Sequence, residues 1–140
     1  MSAGTGIRHS ECNLESEATR LFQIWTFPNR GGEGPAWGAK PFPKGDPPGN
    51  FVALASGLPG DAAALPIRAA ARVPGATLKA GETAEYPLGD SRHGYLVPLT
   101  GSVEVNGVHL DTTDGAAIRD EAVVRVTALE NSELVLVDVA

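Results

Sequence analysis

The chain has 140 residues, a formal net charge of −6, 42% hydrophobic residues and 20% charged residues, a balance typical of a single globular domain. The acidic balance argues against a nucleic-acid backbone or an anionic membrane as the main partner, because both require a positive face. A single cysteine, Cys12, excludes an intramolecular disulfide. No apolar run has the length of a signal peptide or of a membrane helix of roughly 20 residues, so we expect a cytoplasmic protein.

The first 50 residues predict an arm followed by an irregular connection. Residues 10–19 predict a turn or one short helical turn, and residues 20–27, RLFQIWTF, form an apolar run that predicts a strand. Residues 28–50 are dense in glycine and proline, which predicts irregular structure. Trp37 and Phe42 predict that this connection lies on a surface, since a disordered linker usually lacks such aromatic anchors.

After residue 50, short apolar runs alternate with turn-forming residues at nearly regular spacing, which predicts an all-β sandwich or barrel. The Asn106-Gly107 pair predicts a hairpin, because a type I′ turn requires positive φ at both central positions. Residues 123–128 alternate buried-type and polar-type side chains, as expected of a strand with one buried face. The Pro74-Gly75 pair predicts a turn between the apolar runs 65–73 and 76–80.

Several motifs together resemble the pirin family, whose members are bicupins with two β-barrel cupin domains. The matching segments are AGTGIRHSE (3–11), QIW (23–25), the run from 94 to 121 and SELVLVDV (132–139). The resemblance implies a cupin, that is, a double-stranded β-helix or jelly-roll-like barrel, at residues 51–140. It also implies that residues 1–27 are an extended N-terminal arm, left from the first cupin's metal strand and a following strand, and that residues 28–50 connect the two.

His9 and Glu11 are the candidate metal ligands. In a strand, residues i and i+2 face the same side, so both side chains could meet one ion. Imidazole and carboxylate suit Fe, Ni, Cu, Mn or Zn, although two ligands are too few for a firm site. The alternative to a metal site is that His9 and Glu11 are simply two polar residues on a solvated or frayed N-terminal strand.

The resemblance implies that His9 and Glu11 are the last two ligands of a set of three histidines and one glutamate. The H-x-H pair that completes the set has no counterpart, because the chain begins too late to include it. We therefore interpret His9 and Glu11 as ancestral ligands. A naturally short protein and a fragment of a longer one stay open as alternatives.

The second cupin is expected to be free of metal, and His93 and His109 are expected to be surface residues. The positions that resemble cupin ligand positions offer no histidine-rich set; they are Leu88, Asp90, Gly94, and Ile118 or Arg119. The acids near the turns are interpreted as turn-forming and solubilising groups; they are Asp111, Asp114, Asp120 and Glu121.

No catalytic or cofactor-binding residue is assigned. Glu11 beside Cys12 would raise the pKa of the thiol rather than activate it. Neither Ser56 nor Ser91 has a recognisable base pattern around it. The GTG at residues 4–6 is not a dinucleotide fingerprint, because no strand precedes it and no helix follows.

The first functional hypothesis is a pirin-like cupin of unknown role that is not catalytic by itself. The exposed arm would need a cover, supplied by strand exchange in a homodimer or by a separate first-cupin chain. One alternative is a metal-dependent dioxygenase like quercetin 2,3-dioxygenase, whose single transition-metal site is completed by another chain, for example by two His9 and two Glu11 on a two-fold axis. A second alternative is a protein-binding transcriptional co-regulator. No nucleic-acid or membrane partner is expected.

Overall fold

The computed structural model describes residues 1–41 and 49–140, so the predicted surface contact of Phe42 lies outside the described residues. All its named elements are strands that follow residue 51. They are β1 Val52–Ser56, β2 Leu65–Pro66, β3 Ala71–Leu78, β4 Thr83–Pro87, β5 His93–Thr100, β6 Val103–Val105, β7 Val108–Leu110, β8 Ala116–Ile118, β9 Val123–Ala128 and β10 Ser132–Val139.

The strands form two sheets. The larger has the order β2-β1-β3-β10-β5-β8 and the smaller the order β4-β9-β6-β7. Pairing is antiparallel throughout except between β1 and β2. One apolar core joins the sheets, with Leu96, Leu134 and Leu136 from the larger sheet packing in a single cluster with Val124 and Val126 from the smaller. The all-β prediction is confirmed.

Side-chain alternation places the core on one face of each strand of the smaller sheet. In β9, Val124, Val126 and Ala128 are buried, whereas Arg125 is exposed, as the sequence predicted. The β6–β7 hairpin turns at Asn106 and Gly107, which have φ values of 46° and 84°. The predicted tight hairpin is therefore confirmed.

The turn predicted at Pro74-Gly75 is wrong, because β3 continues through both residues. Pro74 pairs with Ala53 beside a register shift in β1. Its missing amide coincides with a gap in the β3–β10 ladder, which passes from Val135↔Gly75 directly to Asp138↔Arg72 without a change of register. Proline inside a sheet is tolerated at such irregular positions, so the strand bends locally and does not end.

The strand predicted at residues 20–27 is also wrong, and residues 9–11 are not in a strand either. An extended segment becomes a strand only when a neighbour accepts and donates its backbone hydrogen bonds. Between residues 1 and 41, the structure gives one isolated bridge, Ser2↔Ala36. The turn predicted within residues 10–19 is present, since Asn13 Oδ1 accepts hydrogen bonds from the Glu15 amide and the Thr19 hydroxyl.

Polar groups hold the connection against the barrel, in contrast to the aromatic anchoring expected from the sequence. Trp37 is 79% exposed. Glu33 instead pairs with Arg68 at 2.8 Å, and Lys40 Nζ donates to the carbonyl of Ala63 at 2.5 Å. The division at residues 27 and 50 stays a prediction. Nowhere in 1–41 or 49–140 does a helix have the length and apolar character needed to cross a bilayer.

Candidate functional site

The predicted metal pair comes together on the surface of the arm. His9 Nε2 lies 3.7 Å from Glu11 Oε1, with the two side chains 39% and 51% exposed. Within the described ranges, no group of three His, Cys, Asp or Glu side chains is placed to hold an ion. Imidazole and carboxylate suit a transition metal, but two donors leave most coordination positions unfilled. These residues alone therefore do not fit the four-ligand site that the sequence resemblance implies.

Hydrocarbon fills the barrel interior where a metal-bearing cupin would place its ligands. Leu88 and Ile118 are buried, and Gly94 lies between them. A Cβ built on Gly94 would lie 3.2 Å from Leu136 Cδ1, 3.4 Å from Ile118 Cβ and 3.5 Å from Leu88 Cδ2. Asp90 is exposed. The side chains of Leu88 and Ile118 therefore offer packing contacts and no ligand for a cation.

The other histidines and turn acids lie at the surface. His93 is exposed, and His109 Nε2 lies 3.1 Å from Asp111 Oδ1 on the exposed face of β7. Asp114 accepts a hydrogen bond from the Asp111 amide at 2.9 Å, and Asp120 adopts a positive φ of 59°. Both acids thus shape turns, as expected. Arg119 and Glu121 are exposed, as are Cys12 and Ser91.

A buried polar network inside the barrel was missed by the sequence analysis. Asp138, 1% exposed, accepts hydrogen bonds from the hydroxyl of Tyr86 at 2.6 Å and from Arg92 Nε. Arg92 also donates to the carbonyl of Ala70 at 3.1 Å. The sequence contained an indication that Asp138 is buried, because alternation along SELVLVDV places it on the same inward face as Leu134 and Leu136.

The network extends to the β1–β2 loop. Arg72 donates to the Tyr86 oxygen at 3.3 Å and, through Nε, to Asp61 Oδ2 at 2.7 Å. The hydroxyl of Ser56 donates to the same Asp61 oxygen at 2.5 Å. Two arginines and two aspartates thus balance one another, as buried charges require. Ser56 faces a carboxylate and lacks the imidazole of a nucleophilic serine.

These contacts shift the pKa values of two members of the network. The hydrogen bond from Arg72, followed by that from Ser56, lowers the pKa of Asp61. Burial, followed by the hydrogen bond to Asp138, raises the pKa of Tyr86 to about 12. A phenol with so high a pKa stays protonated near neutral pH and is a poor general base. We interpret the network as a tie between the barrel and its β1–β2 loop.

Some apolar side chains of the arm line a groove on the barrel, and others are exposed to solvent. Phe22 and Ile24, about half exposed, line a groove of about 200 Å³ together with Tyr95, Val97 and Val137 on the outer face of the larger sheet. Leu21, Trp25 and Phe27 are 60%, 85% and 97% exposed. We name these three residues the outer apolar row. Gln23, between Phe22 and Ile24, also lines this groove.

Residues 54–139 match the family described as the quercetinase C-terminal cupin domain. A pirin-like protein from Caulobacter vibrioides is 66% identical over 140 residues, which is 100% of this chain and 60% of that protein. The chain belongs to the pirin family. A quercetin 2,3-dioxygenase from Escherichia coli K12 is 33% identical over 141 residues, covering 99% of this pirin and 58% of that enzyme. The chain thus spans about three-fifths of the length of these curated relatives.

Solved structures confirm the predicted cupin fold. Two crystal structures of Escherichia coli YhhW, one titled as a bacterial pirin in complex with nickel(II), superpose with TM-scores of 0.72 and 0.71 at 24% and 23% sequence identity. They cover 81% and 80% of this pirin, and 47% of each YhhW chain. At that level of identity the likeness establishes the fold.

Proposed function

We propose that this pirin is a cupin scaffold which is not catalytic by itself and which works by associating with a second chain through its N-terminal arm. The observation that supports the proposal is the outer apolar row, in which Leu21, Trp25 and Phe27 are mostly exposed within one segment of seven residues, 21–27. Contiguous exposed apolar residues of this kind mark interaction surfaces, and tryptophan in particular is enriched at binding hot spots.

The free energy gained by burying these aromatic rings, compared with the free-energy cost of association, favours a symmetric dimer over a contact made by one ring. Burial of a large aromatic side chain removes about 150–250 Å² from water, worth about 4–6 kcal/mol at about 25 cal/mol per Å². Association costs about 4–15 kcal/mol in lost freedom. One ring reaches only the lower end of that cost, whereas Trp25 and Phe27 from each of two chains together exceed its upper end. Residues 20–27 also have backbone groups outside any described ladder, which suits strand exchange in a homodimer.

The mass of the protein in solution tests this proposal. Gel filtration with multi-angle light scattering is expected to give a dimer for the unaltered chain and a monomer for the double variant Trp25→Ser/Phe27→Ser. Val108→Ser is the matched control, because Val108 is 59% exposed on β7, outside the arm. A monomeric unaltered chain, tested up to high micromolar concentration, would contradict the homodimer.

A separate chain that supplies a first cupin is the second possible occupant of the outer apolar row. The matched region covers 60% and 58% of the length of two curated relatives. If the pure protein is monomeric but forms a one-to-one complex with such a chain, this partner and not a second copy occupies the row.

A quercetin-2,3-dioxygenase-like activity is the second candidate function. Its support is the 3.7 Å approach of His9 to Glu11, together with the name of the Escherichia coli relative and the nickel in the YhhW complex. Because the described residues bring two donors together at this place, we propose that another chain supplies the remaining ligands. Elemental analysis of untagged dimer is then expected to show one transition metal per two chains, and none after His9→Ala. The co-regulator role and the cytoplasmic location stay predictions.

A further inference from the structure

One residue of the barrel, Arg68, makes three contacts with the connection. Its Nε lies 2.8 Å from Glu33 Oε2, and its NH1 donates to the carbonyl of Gly34. Its own carbonyl accepts a hydrogen bond from the Asn29 amide at 3.1 Å. The Arg68 and Glu33 side chains are 28% and 38% exposed, so water screens this pair less than it screens a fully exposed one.

The segment that Arg68 holds in turn fixes the start of the arm. Ser2 and Ala36 exchange backbone hydrogen bonds of 2.7 and 3.0 Å, and the Thr5 amide donates to the carbonyl of Glu33 at 2.9 Å. The approach is so close at Gly4 that a Cβ there would lie 2.3 Å from that carbonyl oxygen. Gly4 also has a φ of 54°, a conformation that favours glycine. The two segments therefore require glycine at this position.

Arg68 is itself fixed to the barrel. It follows β2, which pairs with β1, and the Ile67 amide donates to the carbonyl of Ser56 at 3.0 Å. Ser56 belongs to the buried network through Asp61 and Arg72. A continuous set of contacts thus runs from the core network through Arg68 to residues 2–5 of the arm.

We propose that Arg68 is a polar clamp that holds the N-terminal arm in one orientation on the barrel and so presents the outer apolar row as a pre-formed docking edge. The docking role rests on the proposed function, whereas the clamp itself rests only on the contacts above. A pre-ordered edge binds more tightly because less conformational entropy is lost when the partner docks. Loss of these contacts is expected to loosen residues 2–5 and 29–36 without unfolding the barrel, because Arg68 lies outside the apolar core.

Hydrogen exchange at single amides tests the clamp. In the full chain, Arg68→Ala is expected to lower the protection of the Ser2, Thr5 and Ala36 amides about ten-fold, the order expected when a charge-assisted contact is lost. Gly4→Ala is expected to do the same by steric exclusion. The amides of Gly81 and Leu88, which donate hydrogen bonds in the barrel, are expected to keep their protection.

Arg125→Ala is the matched control, because it removes the exposed ion pair with Glu85 on the smaller sheet. Unchanged protection of Ser2, Thr5 and Ala36 in Arg68→Ala, or no protection of these amides in the unaltered chain, would overturn the clamp. The dimer dissociation constant, measured on the same proteins, separates the two proposals. A rise of about ten-fold in Arg68→Ala supports the docking role, and lost protection with an unchanged constant overturns that role alone.

Discussion

The hydroxyl of Tyr86 donates a 2.6 Å hydrogen bond to Oδ2 of Asp138 and so joins β4 of the smaller sheet to β10 of the larger one. Phe51 packs edge-on against the Tyr86 ring with centroids 5.4 Å apart. The two sheets are therefore connected by a directional contact as well as by the apolar core. Substitutions in this network therefore measure how much it contributes to the stability of the barrel.

Removal of the Asp138 carboxylate is expected to destabilise the barrel more than removal of the Tyr86 hydroxyl. Asp138→Ala leaves Arg92 without its carboxylate partner in a partly buried place, which costs about 3 kcal/mol. Tyr86→Phe loses a hydrogen bond to a charged group, which costs about 2 kcal/mol. Urea unfolding of both single variants and of the double variant measures these costs. If the losses of unfolding free energy in the two single variants add up to the loss in the double variant, the two residues do not share a network, since coupled residues give non-additive losses.

Acid is expected to weaken the barrel through Asp61. Its pKa is lowered in the fold by the hydrogen bonds from Arg72 and Ser56, so the native state favours the ionised carboxylate. The resulting stability is fully present above the unfolded pKa of about 3.9 and is lost as the pH falls through the lower folded pKa. Asp61→Asn lacks this contribution. The free-energy difference between the two proteins should therefore be constant above about pH 5 and shrink below about pH 4.

Alkali is expected to act through Tyr86. Its pKa of about 12 exceeds the value of about 10 for an unfolded chain, so the fold favours the neutral phenol. That stability is present below about pH 10 and is lost as the pH rises towards 12. Ultraviolet titration of the unaltered protein minus Tyr86→Phe should show a phenolate midpoint near 12. A midpoint near 10 would contradict the buried environment of Tyr86.

The hairpin at Asn106 should tolerate little change. The Asn106 side chain accepts a hydrogen bond from the Arg125 amide at 2.8 Å and donates one to the carbonyl of Val123 at 3.2 Å. These two bonds connect the turn to β9. Asn106→Ala loses both bonds and places alanine at positive φ, which should cost about 2 kcal/mol. Asn106→Gly keeps the turn geometry and should cost less. Equal thermal shifts for the two variants would contradict the role of the backbone conformation.

The sequence predicted the elements whose cause is local. The Asn106-Gly107 turn and the alternation around Val124 and Val126 depend on backbone geometry and on one buried face, and both are present. The turn predicted at Pro74 is wrong, because a register irregularity in the neighbouring strand β1, which is not a local property of the sequence, lets β3 continue through proline.

The arm and the core network could not be predicted in the same way. Whether residues 20–27 form a strand depends on a neighbouring strand, and none of the strands described in 1–41 and 49–140 pairs with them. The partners of Asp138 come from segments 46 and 52 residues away in sequence, so alternation indicates that the side chain faces inward but not what it contacts. His9 and Glu11 lie 3.7 Å apart although residues 9–11 form no strand, and their role as metal ligands stays a prediction.

Dioxygen uptake with quercetin tests most directly whether this chain is catalytic by itself. The monomeric Trp25→Ser/Phe27→Ser protein would be incubated with iron, nickel, copper, manganese or zinc in turn, and uptake compared with the same metal in buffer. If the chain is not catalytic by itself, the rates will equal those of the metal alone and will be unaffected by His9→Ala. Turnover well above the metal background that disappears in His9→Ala would contradict a non-catalytic chain.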